Sequence, residues 1–373
     1  MTRGDTRIRI DDDGRLEVVD PGFESLDLLR GIDPDFLIRS TPLGGFTTPR
    51  FLNAIGLGVG LDAADLGRVR DDVLLATHAS AVGRTSDAGR RAAPPEGEAS
   101  LMELKIELAR RALSRCHLCA HRCGVDRLSG EAGACRLGTE ASVAEHFVHI
   151  AEESPINPSL VLNLAGCGLR CRFCQQWAIL EPRAVDGDRL GPSLWPALSV
   201  EGARSISFVG GNPDESLYSI LRFLNNAPGS WMLPVVWNSH GYSTPETLAL
   251  LNGVVDAYLP DFKYGSEECG LRLSGVRGYP QAAKESVTQM VGQGVPVIIR
   301  ILVLGGHYDC CHKPALEFLT SLGSRNVTIS VRDQYSPDWK VKVGEGDLSR
   351  RIRPDEASAV RELALSLNLT LVD

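Results

Sequence analysis

No run of apolar residues in this chain is long enough to cross a bilayer. The longest, Val295 to Leu304, is interrupted by Arg300. Basic residues are not in excess either: 39 Lys and Arg stand against 47 Asp and Glu, a net charge of −8. That balance argues against broad, non-specific binding to nucleic acid. The first residues, Met1 to Asp5, lead into Asp11-Asp12-Asp13 without an apolar core, so no secretory signal is expected there. The reading is a cytoplasmic protein without membrane or nucleic-acid partners. In a reducing compartment clustered cysteines read as metal ligands before they read as disulfides.

What the chain does have is ten cysteines in 373 residues and enough apolar content, 43%, for a sizeable core. Five segments are expected. Residues 1–78 form an N-terminal accessory region, with apolar positions at Val18-Val19 and Phe23 to Leu29 too dense for a disordered tail. Residues 79–99, small, polar and proline-bearing, read as a linker. Residues 100–150 carry a helix and a four-cysteine segment. Residues 151–338 form the main unit, and 339–373 a C-terminal extension whose helix starts near Asp355, after Pro354. The helix at 100–114 has Ser100 and Glu103 at capping-box spacing, with Leu101, Leu104, Leu108 and Ala112 on one side.

From residue 160 onward strand and helix patterns alternate. Strands are predicted at 160–164, 205–209, 233–237, 255–260, 296–303 and 327–331. Helices are predicted at about 214–225, 244–252, 281–293 and 313–322, with a weaker one around Leu194 to Val200. Apolar strands joined by helices call for a parallel sheet. Six units fall short of a closed eight-stranded barrel, so the expected fold class is α/β, a partial (βα)6 TIM-like barrel.

The first of these strands runs into Gly166-Cys167-Gly168-Leu169-Arg170-Cys171-Arg172-Phe173-Cys174. Three thiolates at C-x3-C-x2-C can hold three irons of a [4Fe-4S] cluster. The loop offers no fourth cysteine, so one iron stays open to a small molecule. Reductive cleavage of S-adenosylmethionine (SAM) requires such an open iron. Zinc is the rival metal, but its sites usually pair two C-x2-C knuckles or add histidines nearby, and none follows within this loop.

A second set, Cys116, Cys119, Cys123 and Cys135, is a complete group of four soft ligands. It suits zinc or a second iron–sulfur cluster equally, since both accept four thiolates. The remaining three cysteines read more plainly. Cys269 is expected to be a packed core thiol. Cys310 and Cys311 are neighbours on the loop after the fifth strand, a substrate or redox element at most, because adjacent cysteines do not easily share one metal.

In a βα barrel the chemistry sits where the strands end. Gly210, Gly211 and Asn212 follow the second strand, where glycines let backbone come close to a ligand such as the SAM amino group. Asn238 and Ser239 follow the third and could bond ribose hydroxyls or the SAM carboxylate, or simply satisfy a turn. His240 reads first as structural, with a proton relay as the alternative. Asp261 and Lys263 alternate on an extended segment, at the barrel mouth or as a surface pair. Arg300, inside an apolar strand, needs an anion: the SAM carboxylate or Asp261.

These segments, with Glu152-Glu153-Ser154-Pro155 and Gln334-Tyr335-Ser336-Pro337, resemble the radical SAM superfamily. Within it the chain is similar to uncharacterised iron–sulfur proteins related to the pyruvate formate-lyase activating enzymes. The likeness covers residues 114–338. It implies an enzyme with a [4Fe-4S] cluster on Cys167, Cys171 and Cys174. SAM would be cleaved there to a 5′-deoxyadenosyl radical that takes hydrogen from a protein or peptide. Backbone at Phe173 would meet the adenine, and a flavodoxin or ferredoxin would supply the electron. Asn212 stands where the superfamily's glycine motif usually has an acid, and Gly305-Gly306 where relatives often carry Pro-Gly. Residues 1–100 match nothing in the resemblance. The alternatives are a radical enzyme acting on a small molecule, and a non-enzymatic metal protein that carries electrons or serves as a scaffold.

Overall fold

The computed structural model describes residues 8–10, 16–18, 57, 61–83, 97–228, 231, 233–323, 326–341 and 346–372. Most of the expected accessory region, Phe23 to Leu29 included, and residues 84–96 of the expected linker lie outside them. Near the N-terminus β1 (Ile8–Ile10) and β2 (Leu16–Val18) pair antiparallel. Helix α1 (Asp71–Gly83) takes in residues 79–83, so the first part of the predicted linker is helical.

Helix α2 (Leu101–Ser114) starts at the capping box read from the sequence. The Glu103 N–H donates to Ser100 Oγ at 3.2 Å, and the Ser100 N–H donates to Glu103 Oε2 at 2.7 Å. It buries Leu101, Leu104, Leu108 and Ala112.

The main sheet has eight strands. In chain order they are β3 (Ser142–His149), β4 (Ser159–Leu164), β5 (Asp188–Arg189), β6 (Ser205–Gly210), β7 (Val235–Ser239), β8 (Ala257–Pro260), β9 (Val297–Leu302) and β10 (Val327–Arg332). Their order across the sheet is β10-β9-β8-β7-β6-β4-β3-β5. The six from β4 to β10, less β5, run parallel, as the alternation of the sequence requires. The sheet does not close, and β10 and β5 are its edges. It is an open, partial barrel. The antiparallel β3, beside β4, was not predicted.

Helices α3 (Leu217–Asn225), α4 (Pro245–Leu251), α6 (Tyr279–Gly292) and α7 (Lys313–Thr320) stand where the sequence placed them, as does α8 (Pro354–Ser366) at the C-terminus. The short α5 (Glu267–Ser274) was missed. Between β4 and β6 the crossover is built from 3-10 turns, including Pro192–Ala197 where a weak helix was expected. Pro196 inside that turn removes an N–H donor and prevents a longer helix.

Strand alternation separates two faces. Leu160, Leu162, Ile206, Phe208, Trp237, Tyr258, Ile299 and Ile301 join the large core beneath the helices. Val236, Ala257, Leu259 and Ile298 form a small cluster on the opposite face. That inner face is also polar, carrying Asn163, Asn238 and Arg300 on the same alternation. All six residues of β4 are buried, so the loop that follows it is anchored to a fixed strand.

Candidate metal and cofactor site

Cys167, Cys171 and Cys174 follow β4 directly and lie at the end of the sheet where the parallel strands terminate. Backbone bonds tie their loop to α5 (Glu267–Ser274). The N–H groups of Arg170 and Arg172 donate to the carbonyls of Ser274 and Leu273, at 2.9 and 2.8 Å, at the end of α5. Cys171 Sγ lies 2.9 Å from Ser274 Oγ.

Burial, then Glu215 and Cys171, push the Cys167 thiol well above its ordinary value. Burial and Cys171 raise Cys174 to about 11. Such thiols become thiolates only with a cation beside them. The three sulfurs influence one another's charge, yet they do not fall among the ligand groups whose atoms all lie within 4.8 Å. Three thiolate donors on one turn fit a cluster in which each takes its own iron.

The glycines after β6 sit against this loop. A side chain on Gly211 would place Cβ 1.9 Å from the carbonyl oxygen of Gly166. One on Gly210, whose φ is +98°, would come within 2.4 Å of Leu164 N. Close approach is required here, as the sequence suggested, but the neighbour that fills the space is the backbone of the cysteine loop.

Asn212 does not stand alone. Its side-chain N–H₂ donates to Glu215 Oε2, and its Oδ1 accepts from the His240 N–H at 3.0 Å. Glu215 is buried, and its Oε1 accepts from the Gly168 N–H at 2.9 Å. Cys167, Glu215 and His240 bring ligand atoms within 4.8 Å of one another. Burial opposes the charge of Glu215, but His240, Asn212 and the Gly168 N–H outweigh it and hold the carboxyl below its usual range. Glu215 was missed in the sequence. The signal was there: an acid three residues beyond Asn212, on the turn Asp214–Ser216.

The other predicted residues divide. Asn238 is buried with an Nδ2 that has no partner, an orphaned donor at the same end of the sheet. Ser239 Oγ accepts from the Gly241 N–H at 3.4 Å, a local turn contact. Lys263 Nζ donates to Asp261 Oδ2 at 2.5 Å. Burial lowers the Lys263 pKa, but Asp261 and Cys171 outweigh it and raise it. Phe173 is buried edge-on against Tyr335, with ring centroids 5.7 Å apart.

For Arg300 the expected pairing with Asp261 is corrected. Its guanidinium donates to Glu153 and to Glu152 rather than to Asp261. Two carboxylates from the segment before β4 satisfy the buried cation within the protein.

The segment of the second cysteine set meets the loop of the first. His121 Nε2 lies 2.9 Å from the carbonyl oxygen of Gly168. Arg127 donates to the Glu215 carbonyl at 2.8 Å and reaches Cys116 Sγ at 3.8 Å. Burial and the nearby Glu215 raise Cys119, and burial raises Cys135 to about 11. No three of Cys116, Cys119, Cys123 and Cys135 form a group within 4.8 Å. Cys269 is buried, as a packed thiol should be, but it does not stand alone: the adjacent Cys310 and Cys311, expected not to share a metal easily, lie beside it. Cys269, His307, Cys310 and Cys311 bring four ligand atoms within 4.8 Å.

Among the described residues no helix is long and apolar enough to cross a membrane.

Residues 164–319 match the Radical SAM superfamily. The uncharacterized protein MJ0674 of Methanocaldococcus jannaschii is 38% identical over 284 residues, 73% of this chain and 81% of that protein. Among solved structures, SuiB of Streptococcus suis bound to S-adenosylmethionine aligns with a TM-score of 0.38 at 15% identity, over 55% of this chain and 47% of that one. The radical S-adenosylmethionine methyltransferase TsrM of Kitasatospora setae aligns with a TM-score of 0.32 at 13% identity, over 50% and 39%. The chain thus spans less than half the length of these two structures.

Proposed function

The chain belongs to the radical SAM superfamily, and on that premise we propose that it is an activating-enzyme-like oxidoreductase. Cys167, Cys171 and Cys174 would hold a [4Fe-4S] cluster and leave one iron for SAM. When bound, the cluster and SAM supply the 5′-deoxyadenosyl radical, which takes hydrogen from the substrate.

The protein's own part is to bind, orient and shield. Glu215, fixed by Asn212 and the Gly168 N–H, offers a carboxylate beside Cys167, suited to the SAM ammonium. In this reading Glu215 does the work of the acid absent at position 212. The unpartnered Asn238 Nδ2 is a donor for a carboxylate or a ribose hydroxyl. Lys263 sets a positive charge near Cys171. Arg300, on the inner face of β9, is already held by two carboxylates and in this reading ties that strand to the segment before β4. The observation that carries the reading is the cysteine triple at a strand's end with a buried carboxylate against it.

A protein or peptide substrate follows the likeness to activating enzymes, and a flavodoxin or ferredoxin is the fitting electron donor. For Cys116, Cys119, Cys123 and Cys135 the proposal is a second cluster, with zinc as the alternative, since both accept four thiolates; iron analysis decides between them.

The test is anaerobic. Reconstituted, reduced protein should form 5′-deoxyadenosine from SAM, and Cys171→Ala should not. Product no greater than that of Cys171→Ala would end the enzymatic reading. Iron analysis should give about eight irons per chain, falling to about four in Cys119→Ala.

A further inference from the structure

We infer that Cys269, His307, Cys310 and Cys311 form a tetrahedral zinc site that clamps the loop after β9 to helix α5. The site is separate from both cysteine sets described above and does not depend on SAM chemistry.

The distances carry the inference. Zinc bonds of about 2.3 Å to sulfur and about 2.05 Å to nitrogen, at tetrahedral angles, set sulfurs about 3.8 Å apart and sulfur about 3.5 Å from nitrogen. Cys269 Sγ lies 3.7 Å from Cys310 Sγ, which lies 3.7 Å from Cys311 Sγ. His307 Nδ1 lies 3.5, 3.4 and 3.8 Å from the sulfurs of Cys269, Cys310 and Cys311. This is the spacing of four donors around one ion. It is also too long for a disulfide, whose sulfurs stand about 2.05 Å apart.

Local backbone explains how neighbouring cysteines can share a metal. Tyr308–His312 is one π-helical turn, closed by the His312 N–H donating to the His307 carbonyl at 3.2 Å. The widened turn reduces the angle between successive side chains. His307 stands three and four residues before the two cysteines, on the same face. Gly265 lets this turn pack tightly, because a Cβ there would lie 2.7 Å from the Cys311 carbonyl oxygen. Cys269, in the first turn of α5, supplies the fourth donor from another element.

The donor set, three sulfurs and one imidazole with no open position, is that of a structural zinc. The set is buried except at Cys310, which with His307 lines a surface cavity of about 290 Å³ that gives an ion a way in. The clamp reaches the cysteine triple indirectly. Helix α5 ends at Leu273 and Ser274, whose carbonyls hold Arg170 and Arg172 of the triple's loop. A metal on α5 would stiffen that support.

The test uses the full chain. In protein with Cys167, Cys171 and Cys174 changed to alanine, zinc should remain at about one per chain. It should be lost when Cys269→Ser and Cys310→Ser are added, and kept when Cys116→Ser and Cys135→Ser are added instead. His307→Cys should retain it. Unaltered protein gives a readout that survives misfolding of any variant. Bound zinc should shield Cys269, Cys310 and Cys311 from alkylation, and a strong chelator should expose them, by peptide mass. Equal alkylation with and without chelator, zinc that leaves with Cys116 and Cys135, or a disulfide among the three would overturn the site. None of these readouts depends on 5′-deoxyadenosine formation, so they fail or succeed apart from the radical chemistry.

Discussion

Glu215 Oε1 accepts a hydrogen bond from the Gly168 N–H at 2.9 Å, so a carboxylate from the loop after β6 is tied to the backbone between Cys167 and Cys171. The bond joins two neighbouring strand ends, and both partners are buried. A hydrogen bond to a buried charge is worth about 1.5–3 kcal/mol.

Glu215→Gln keeps an acceptor for Gly168 but removes the charge. It should leave iron content unchanged and weaken SAM binding roughly 10- to 100-fold. Glu215→Ala should also lose iron, because the loop loses its tie. Equilibrium SAM binding together with iron analysis separates the two effects. Unchanged SAM affinity in the glutamine variant would remove Glu215 from the site.

Gly211→Ala should be far more damaging than its size suggests. Its Cβ would meet the Gly166 carbonyl oxygen at 1.9 Å, and backbone on both sides leaves no flexible side chain to yield. The expected outcome is soluble protein that fails to take up iron at the triple, or protein that does not fold. Gly191→Ala, with nothing within 4 Å of its Cβ, is the control and should behave as the unaltered chain.

Acid should loosen the barrel through Glu153. Burial raises its pKa, but Arg300 and Arg332 outweigh it and take the carboxyl to about 2, against an ordinary 4.5. The folded value is depressed, so the stabilisation is complete above pH 4.5 and drains away as pH falls through about 2. Thermal melts across that window should show the decline, and Glu153→Gln should flatten it. Glu153→Ala should cost about 3–5 kcal/mol at neutral pH, the penalty for breaking a buried pair.

Lys105 gives the opposite window. In the interface of α1 and α2 its Nζ lies 2.9 Å from His78 Nε2 and 3.0 Å from the Leu250 carbonyl oxygen. Burial lowers its pKa from 10.5 to about 7. Between those values the unfolded chain binds more protons than the folded one, so stability should rise with pH from about 7 to 10.5. Chemical denaturation should show that rise, and Lys105→Met should abolish it. A slope that persists in the variant would assign it to another group.

Much of the frame was legible in the residues. Apolar runs such as Leu160-Val161-Leu162 and Val297-Ile298-Ile299, separated by helical periods, demand strands buried on both faces, and that pattern is local. The Ser100–Glu103 cap is likewise a matter of spacing. Strand β3 escaped because only its partner β4 gives it a place. Helix α5 escaped because Glu267 to Ser274 carries few apolar residues, Leu271 among them exposed, and so shows no helical period. At the site the cysteine triple was readable because its three ligands share one turn. Glu215 showed only as an acid three residues beyond Asn212, and its place at the site is set by a contact with Gly168, 47 residues away.

By itself the sequence determined the parallel strand order's raw material, the placing of a soft-metal turn at a strand's end, and the family. Those depend on periods and spacings within a few residues. Only the folded chain decided which charges meet and which thiols converge: Arg300 with Glu152 and Glu153, and Cys269 with a turn some forty residues on. Such partners are chosen by the packing of distant elements, which no local pattern encodes.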